Sequence, residues 1–233
     1  AMSVAWDPAG QDLVVVPLAA TVAFITFHYF GSAPFLQRRL GEGPAAQARA
    51  VLLQRVAGFV LLGVVLVGVD LAAVPGSLAD HHLGPGHLGR GLGAGLGGAV
   101  AIVGLMALVN RVMDQTRAYP QIRRLDWSVG LHLANAGTWA LYLVAYEYLF
   151  RGFLLVPLVE HTGVWPGLAL QTALYVLAHL HKEAGETFGC VLFGFVFGAL
   201  ALWCGSIVPT VLIHLALGIS SDEFALRRRL SAA

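Results

Sequence analysis

The sequence predicts an all-α fold, a polytopic transmembrane helical bundle with about seven spans. Hydrophobic residues make up 58% of the 233 residues and charged residues only 12%, and the mean hydropathy is +0.75. A soluble domain carries about 25% charged residues, so this composition indicates an integral membrane protein. In addition, apolar segments of spanning length recur along the whole chain, and the basic residues cluster in alternate loops.

The predicted spans are apolar stretches long enough to cross a bilayer, which takes about 17 to 25 helical residues. They cover residues 13–30, 51–74, 92–109, 129–158, 165–180, 187–203 and 207–219. The last stretch is short and begins inside the Gly205-Ser206-Ile207 turn. A bundle of six spans with one re-entrant or interfacial segment therefore remains open.

The basic residues predict the orientation, because loops rich in Lys and Arg stay in the cytoplasm. The loops after the first, third and fifth spans and the C-terminal tail hold Arg38, Arg39, Arg49, Arg111, Arg117, Arg123, Arg124, Lys182, Arg227, Arg228 and Arg229. The loops on the other side hold only Arg90. We therefore expect a multi-pass protein of the bacterial inner membrane, with its N-terminus outside and its C-terminus cytoplasmic.

The chain divides by composition into four parts. Residues 1–110 supply the N-terminal transmembrane helices, and residues 111–128 form a mixed polar connector at the cytoplasmic interface. That connector is either a solvated link held by anionic lipid or a gate for substrate. Residues 129–220 form a helical core, and residues 221–233 form a basic cytoplasmic tail. The net charge of +1 and the lack of a basic patch exclude a nucleic-acid partner and leave membrane lipids as expected partners.

One acid and one base interrupt the apolar run 142–154. Glu147 and Arg151 are four residues apart, which is about one helical turn, so they share a helix face. A charge at the centre of a membrane helix costs about 2.5 to 3.5 kcal/mol on insertion scales, which disfavours exposure to lipid. The pair is therefore predicted to point inward, either as a structural strut or as part of an active site.

Two histidines in later spans lie at a similar predicted depth. Counted from the outer helix ends, Glu147, His179 and His214 lie about 16, 21 and 10 Å along their helices. A single membrane histidine is usually a hydrogen-bonded packing residue, whereas ionisable groups from three helices favour a shared pocket. A carboxylate and an imidazole can deprotonate a water that attacks a carbonyl, and a second imidazole can stabilise the oxyanion. This set predicts hydrolysis.

Three motifs occur in the same part of the chain. They are Tyr146-Glu147-x-x-x-Arg151-Gly152, Tyr175-x-x-x-His179, and Gly194-x-x-x-Gly198 followed by Gly205-Ser206-Ile207-x-Pro209 and His214. They resemble the motifs of the CPBP intramembrane proteases, which include CAAX prenyl endopeptidases and bacteriocin-processing or Abi proteins. The family patterns are Glu-Glu-x-x-x-Arg, Phe-x-x-x-His, and Gly-x-x-x-Gly with Gly-Ser-Ile-x-x-Pro and a His. The resemblance covers residues 129–220.

The resemblance implies an intramembrane endopeptidase that hydrolyses a peptide bond of a membrane-associated protein or a prenylated peptide. It implies that His179 helps to activate water, that His214 polarises the oxyanion, and that Glu147 and Arg151 orient the site. The expected partners are membrane lipids and a peptide or lipidated protein substrate. No cofactor is expected, although His179 and His214 with a nearby glutamate would suit a metal ion by ligand type.

Apart from Tyr175 in place of Phe and one residue fewer before Pro209, two departures from the family pattern matter for catalysis. The family's first Glu, taken as the water-activating base, is Tyr146 here, and the Asn four residues after the last His is Gly218. Glu186 is the acid that we expect to substitute, if it folds back toward His179. Glu183, Glu186 and Asp222 are otherwise expected on a wet cytoplasmic rim. The alternative function is a catalytically degenerate CPBP-like membrane protein that binds a lipid or a partner helix.

Other polar residues in the N-terminal half have simpler expected roles. Arg55 and Asp70 lie in the second span, where their side chains are expected to reach the inner and outer interface respectively. His81 and His82 belong to a Gly-rich segment that is expected to form a mobile outer loop.

Overall fold

The structure is a computed structural model that describes residues 10–232. Within this range all regular secondary structure is helical, with seven helices and no strand. This confirms the predicted fold class. The helices are α1 (Asp12–Leu40), α2 (Pro44–Ala73), α3 (Leu88–Val112), α4 (Val129–Thr162), α5 (Val164–Leu177), α6 (Ala184–Cys204) and α7 (Val208–Ser231). Each predicted span corresponds to one of them.

Five helices, α1 to α4 and α6, are long and apolar enough to cross a membrane. Helix α5 is apolar but has only 14 residues, and α7 carries several charged residues in its second half. Large apolar side chains such as Leu18, Val100 and Phe188 point away from the bundle and are exposed. An apolar outer surface on a bundle of long helices is the pattern of a protein that is solvated by lipid.

Helix α4 forms the centre of the bundle. In the most apolar stretch of α4, 78% is buried inside the bundle, whereas the corresponding share is 11% to 33% in the other four candidate spans. Its Leu143, Leu149 and Phe153 are almost fully buried, and the helix packs against α2 and α7 and, through its last turns, α5. The buried side chains of α4, which include Glu147 and Arg151, are therefore shielded from the surroundings of the bundle.

The middle of α4 is a π-helical segment, Tyr148–Leu154, that begins directly after Glu147. All seven residues of this segment are buried. Shorter π-helical segments interrupt α1 at Phe27–Gly31 and α2 at Val60–Val64. Such segments are rare and frequently occur at functional sites, because they change the direction of the side chains that follow.

The polar connector, predicted as residues 111–128, begins after α3 at residue 113 and is docked on the bundle. Its Ile122 is fully buried and packs against Ala48 and Val51 of α2. The side chain of Gln47 donates to the backbone carbonyl of Gln121 at 2.8 Å and accepts from the backbone N–H of Arg123 at 3.0 Å. The end of the chain is ordered in a similar way, since α7 continues through the segment predicted as a tail as far as Ser231.

The loop between α2 and α3, predicted as a mobile outer loop, contradicts the expectation of mobility. His81 and His82 are buried, because the loop folds back over the end of the bundle. The Nδ1 atom of His81 lies 2.8 Å from Oδ1 of Asp70, and Nδ1 of His82 donates to the backbone carbonyl of Arg151 at 2.9 Å. The hydroxyl of Tyr148 donates to the other oxygen of Asp70. Asp70 is therefore buried in a hydrogen-bonded cluster, and the expectation that it reaches the outer interface was wrong.

Candidate active site

A cavity of about 470 Å³ lies between α1, α2, the connector, α4, the α5–α6 segment and α7. Its wall includes three of the predicted site residues, His179, Glu186 and His214, together with Tyr146. The predicted residues Glu147 and Arg151 are fully buried and lie behind the wall. The polar groups from distant parts of the sequence therefore come together around one space.

Glu147 connects α4 to α7 through a short hydrogen bond. The Nδ1 atom of His214 lies 2.6 Å from Oε1 of Glu147, and because an ionised carboxylate only accepts, the imidazole is the donor. The other carboxylate oxygen lies 3.2 Å from Nε of Arg151. The Arg151 guanidinium also lies 4.3 Å above the ring of Tyr175, a cation–π contact. Arg151 is thus ion-paired with Glu147, and Glu147 fixes Nδ1 of His214.

His179 follows the end of α5 in a turn, residues 178–182. Its Nδ1 atom lies 2.8 Å from the backbone carbonyl of Tyr175. A carbonyl only accepts hydrogen bonds, so Nδ1 carries the proton and the neutral ring keeps its lone pair on Nε2. This is the tautomer that a general base requires.

Tyr146 takes the position of the family's first Glu and contacts both imidazoles. The ring centroids are 5.8 Å apart for Tyr146 and His179, and 6.2 Å apart for Tyr146 and His214. Its hydroxyl lies 3.4 Å from Nδ1 of His179. The side chain is 4% exposed and its ring also packs on Tyr142 and Phe150.

Glu186 lies at the cavity wall but does not contact His179 through a hydrogen bond. Helix α5 ends at Leu177, two residues before His179, so Glu186 belongs to the next helix, α6. Glu186 lies in the first turn of α6 and pairs with Lys182 at 3.3 Å. Its carboxylate is partly exposed, which agrees with a position on the rim of the cavity.

Asp222 is fully buried, so its expected place on a wet rim was wrong. Its Oδ1 accepts from the backbone N–H of Gln121 at 2.9 Å. Its Oδ2 accepts from Nε1 of Trp139 at 2.8 Å, from Nδ2 of Asn135 at 3.2 Å and from Arg55 at 3.4 Å. Arg55 also stacks on Trp139 at 4.0 Å. The buried Arg55 therefore links α2 to α4, to α7 and to the connector. The expectation that its side chain reaches the membrane interface was wrong.

Gly218 faces the same cluster. A Cβ atom at this position would lie 3.3 Å from the indole ring of Trp139, closer than most such contacts in proteins. Trp139 cannot retreat easily because its N–H is held by Asp222. Where the family pattern has an Asn, this chain has Gly218, and the ring of Trp139 occupies the space beside it.

The described residues, 10–232, contain no group of three or more His, Cys, Asp or Glu side chains arranged to hold a metal ion. The trio of two histidines and a glutamate considered for a metal is therefore not assembled in this structure, since Glu186 pairs with Lys182 instead. The expectation that the protein uses no cofactor stays a prediction.

Residues 128–219 match the family model described as type II CAAX prenyl endopeptidase Rce1-like. This stretch is similar to an Rce1-like domain. It contains every residue predicted for the site, namely Glu147, Arg151, His179, Glu186 and His214. The match confirms the resemblance to the CPBP family. The Rce1-like family is a protease family. No curated protein and no solved structure is significantly similar to the chain.

The cavity also depends on residues outside the matched range 128–219. Helices α1 and α2 contribute His28, Arg38 and Arg55 to its wall, and the connector contributes Tyr119 and Gln121. The sequence offered a signal for Arg55, which is a charged residue within an apolar segment. It offered none for Tyr119, whose surroundings read as an ordinary polar loop.

Proposed function

We propose that this protein is an intramembrane endopeptidase that hydrolyses a peptide bond of a prenylated peptide or a lipidated protein. The observation that carries the proposal is the pair of imidazoles beside one cavity, His179 with a lone pair on Nε2 and His214 held by Glu147. Each ring is fixed through Nδ1, so both Nε2 atoms are available for chemistry. The Rce1-like family supports the reaction class.

The proposed reaction begins with a water molecule in the cavity. Nε2 of His179 accepts a proton as the water oxygen attacks the carbonyl carbon, and the carbonyl oxygen becomes an oxyanion. His214, protonated on both nitrogens, donates from Nε2 to that oxyanion. The C–N bond then breaks, His179 returns its proton to the leaving amine, and a carboxylic acid and an amine are released. His179 is thus the base and then the acid.

The buried charges behind the wall support the His214 role. An imidazolium in a membrane protein needs a partner, and the Glu147 carboxylate at 2.6 Å is one. Arg151 in turn favours the ionised form of Glu147. The three groups together carry one excess positive charge, directed toward the position where negative charge develops in the transition state.

An apolar groove next to the cavity supports a lipidated substrate. It has a volume of about 240 Å³ and lies between α1, α4 and α5. Phe24 and Ala178 line both the groove and the cavity, so the two spaces are neighbours. An isoprenoid chain in the groove would leave its attached peptide beside His179.

The charge of the cavity supports a substrate that ends in a carboxylate. Basic and imidazole side chains dominate its wall, with Glu186 as its acid. They are His28, Arg38, Arg55, His179, His181, Lys182 and His214. Arg55 is paired with Asp222 and Lys182 with Glu186, so Arg38 is the basic side chain of this wall that we expect to attract an anionic peptide terminus.

The experiment is cleavage of an internally quenched, farnesylated peptide with a CAAX C-terminus by the purified protein in lipid nanodiscs. The wild type is expected to release the fluorescent product, with the cleavage site identified by mass spectrometry. His179→Gln is expected to lower kcat by about 10²- to 10⁴-fold, the usual contribution of a general base. His132→Gln is the control, because His132 is half-exposed on α4 and pairs with Glu223 outside the cavity. Equal rates for wild type and His179→Gln would refute the proposal.

The second candidate function is binding of a lipid or a partner helix without hydrolysis. It is favoured by Tyr146 and Gly218, which replace two functional residues of the family pattern. It predicts that the same farnesylated peptide binds in the groove and is not cleaved. Binding without product, in wild type and His179→Gln alike, would identify this function.

A further inference from the structure

The hydroxyl of Tyr146 is a polar group in the cavity wall that the proposed mechanism does not use. Its polar neighbour is Nδ1 of His179, at 3.4 Å. That nitrogen already donates to the carbonyl of Tyr175 at 2.8 Å. A nitrogen that carries its proton cannot accept another, so the Tyr146 O–H has no acceptor there. The phenol therefore keeps a hydrogen to donate into the cavity.

The position of this donor is well defined. The Tyr146 ring is edge-on to both imidazoles, with interplanar angles of 87° to His179 and 75° to His214. Tyr142 and Phe150 pack against it from the same helix, one turn before and one turn after. A buried aromatic ring held in this way presents its hydroxyl at a fixed place with little entropy to lose.

We propose that Tyr146 is a catalytic residue of this chain: its hydroxyl donates a hydrogen bond to the oxyanion of the tetrahedral intermediate, together with His214. The inference rests on the proposed endopeptidase function and deepens it. A phenol loses its proton only near pH 10, so at neutral pH Tyr146 is a donor and not a base. The residue at this position has thus exchanged the water-activating role for an oxyanion-binding one.

This assignment also accounts for Gly218. The family pattern has an Asn there, four residues after the last His, and a glycine side chain cannot donate a hydrogen bond. With Tyr146 as a donor, the oxyanion again has two partners, and His179 alone activates the water. The two departures from the family pattern then describe one altered site with its hydrogen bonds redistributed.

The test compares Tyr146→Phe with Tyr142→Phe, because each removes one oxygen and keeps the ring. Tyr142 lines the same cavity one turn away and makes ring contacts with Phe27 and Trp139. With the farnesylated CAAX peptide, Tyr146→Phe is expected to lower kcat by about 10²- to 10³-fold and leave KM unchanged, as for loss of one oxyanion donor. Tyr142→Phe keeps the ring that packs on Tyr146 and removes no group that the proposed mechanism uses, so its kcat is expected to fall much less than that of Tyr146→Phe. If Tyr146→Phe cleaved the peptide with the kcat of the wild type, the assignment would be refuted.

A binding measurement separates this inference from the proposed function. A phosphinate analogue of the farnesylated peptide mimics the tetrahedral oxyanion, and its affinity does not depend on turnover. Tyr146→Phe is expected to weaken the phosphinate by about the same factor as kcat while leaving the uncleaved peptide unaffected. If the wild type cleaves and Tyr146→Phe binds the phosphinate equally well, only the Tyr146 role is refuted. If the wild type neither cleaves nor prefers the phosphinate to the peptide, both proposals are refuted.

Discussion

Replacing Asp222 by Ala is expected to destabilise the bundle strongly, although the residue lies only five positions before a run of three arginines. Asp222 is fully buried and accepts hydrogen bonds from the connector, from α4 and from α2. Its loss leaves the buried Arg55 without its anion, and removing one partner of a buried ion pair costs about 3 to 5 kcal/mol. The freed N–H of Trp139 adds about 1 to 3 kcal/mol if it finds no new acceptor. We expect a total loss of at least about 3 kcal/mol.

The assay is reversible unfolding of the purified protein in mixed micelles of increasing SDS content, followed by tryptophan fluorescence and circular dichroism. Glu223→Ala is the matched control, because Glu223 is the next residue, is partly exposed and pairs with His132 at 3.3 Å. An exposed pair contributes about 0 to 1 kcal/mol, so the control should unfold almost as the wild type does. Adding Arg55→Met to Asp222→Ala should recover part of the loss, because it removes the unpaired charge. Equal midpoints for Asp222→Ala and Glu223→Ala would refute this account of the cluster.

Three further predictions concern the site and the outer loop. Glu147→Gln is expected to lower kcat on the farnesylated peptide by at least about 10²-fold, because a neutral amide no longer supports an imidazolium donor; an unchanged rate would contradict the proposed role. Gly218→Asn, which restores the family residue, is expected to destabilise the protein by about 1 to 3 kcal/mol in SDS unfolding, because its Cβ crowds Trp139; a stabilised variant would contradict the packing. The hydrogen bond to Asp70 raises the pKa of His81. Its stabilising effect is therefore fully present below the unfolded-state pKa of about 6.5 and is lost as the pH rises through the raised value, so His81→Gln should flatten the decline of unfolding free energy above that pH.

The helical segments were predictable because their signal is local and strong. A run of apolar residues of spanning length leaves few alternatives, and all seven predicted segments correspond to helices. The inward direction of Glu147 and Arg151 was also predictable, since lipid tolerates charge poorly. The hydrogen bond from His214 to Glu147 agrees with the expectation that these spans share a pocket.

The errors came from residues whose partners are distant in the sequence. Arg55 and Asp222 are 167 positions apart and each was assigned to water, because no local pattern shows that they form an ion pair. Asp70 and His81 were misread for a similar reason, since the fold of the outer loop decides whether an acid meets a histidine or solvent. The position of Glu186 was predictable only in part, because it lies in the first turn of α6 at the cavity wall but pairs with Lys182 and not with His179.

The most direct test of the central claim is an experimentally determined structure of the protein with the farnesyl-peptide phosphinate bound. The account predicts that one phosphinate oxygen lies within hydrogen-bond distance, about 2.7 to 3.2 Å, of the Tyr146 hydroxyl and of Nε2 of His214. It also predicts that the other oxygen lies equally close to Nε2 of His179, with the farnesyl chain in the groove between α1 and α5. A phosphinate bound elsewhere, or histidines turned away from it, would contradict the claim that these side chains form one hydrolytic site.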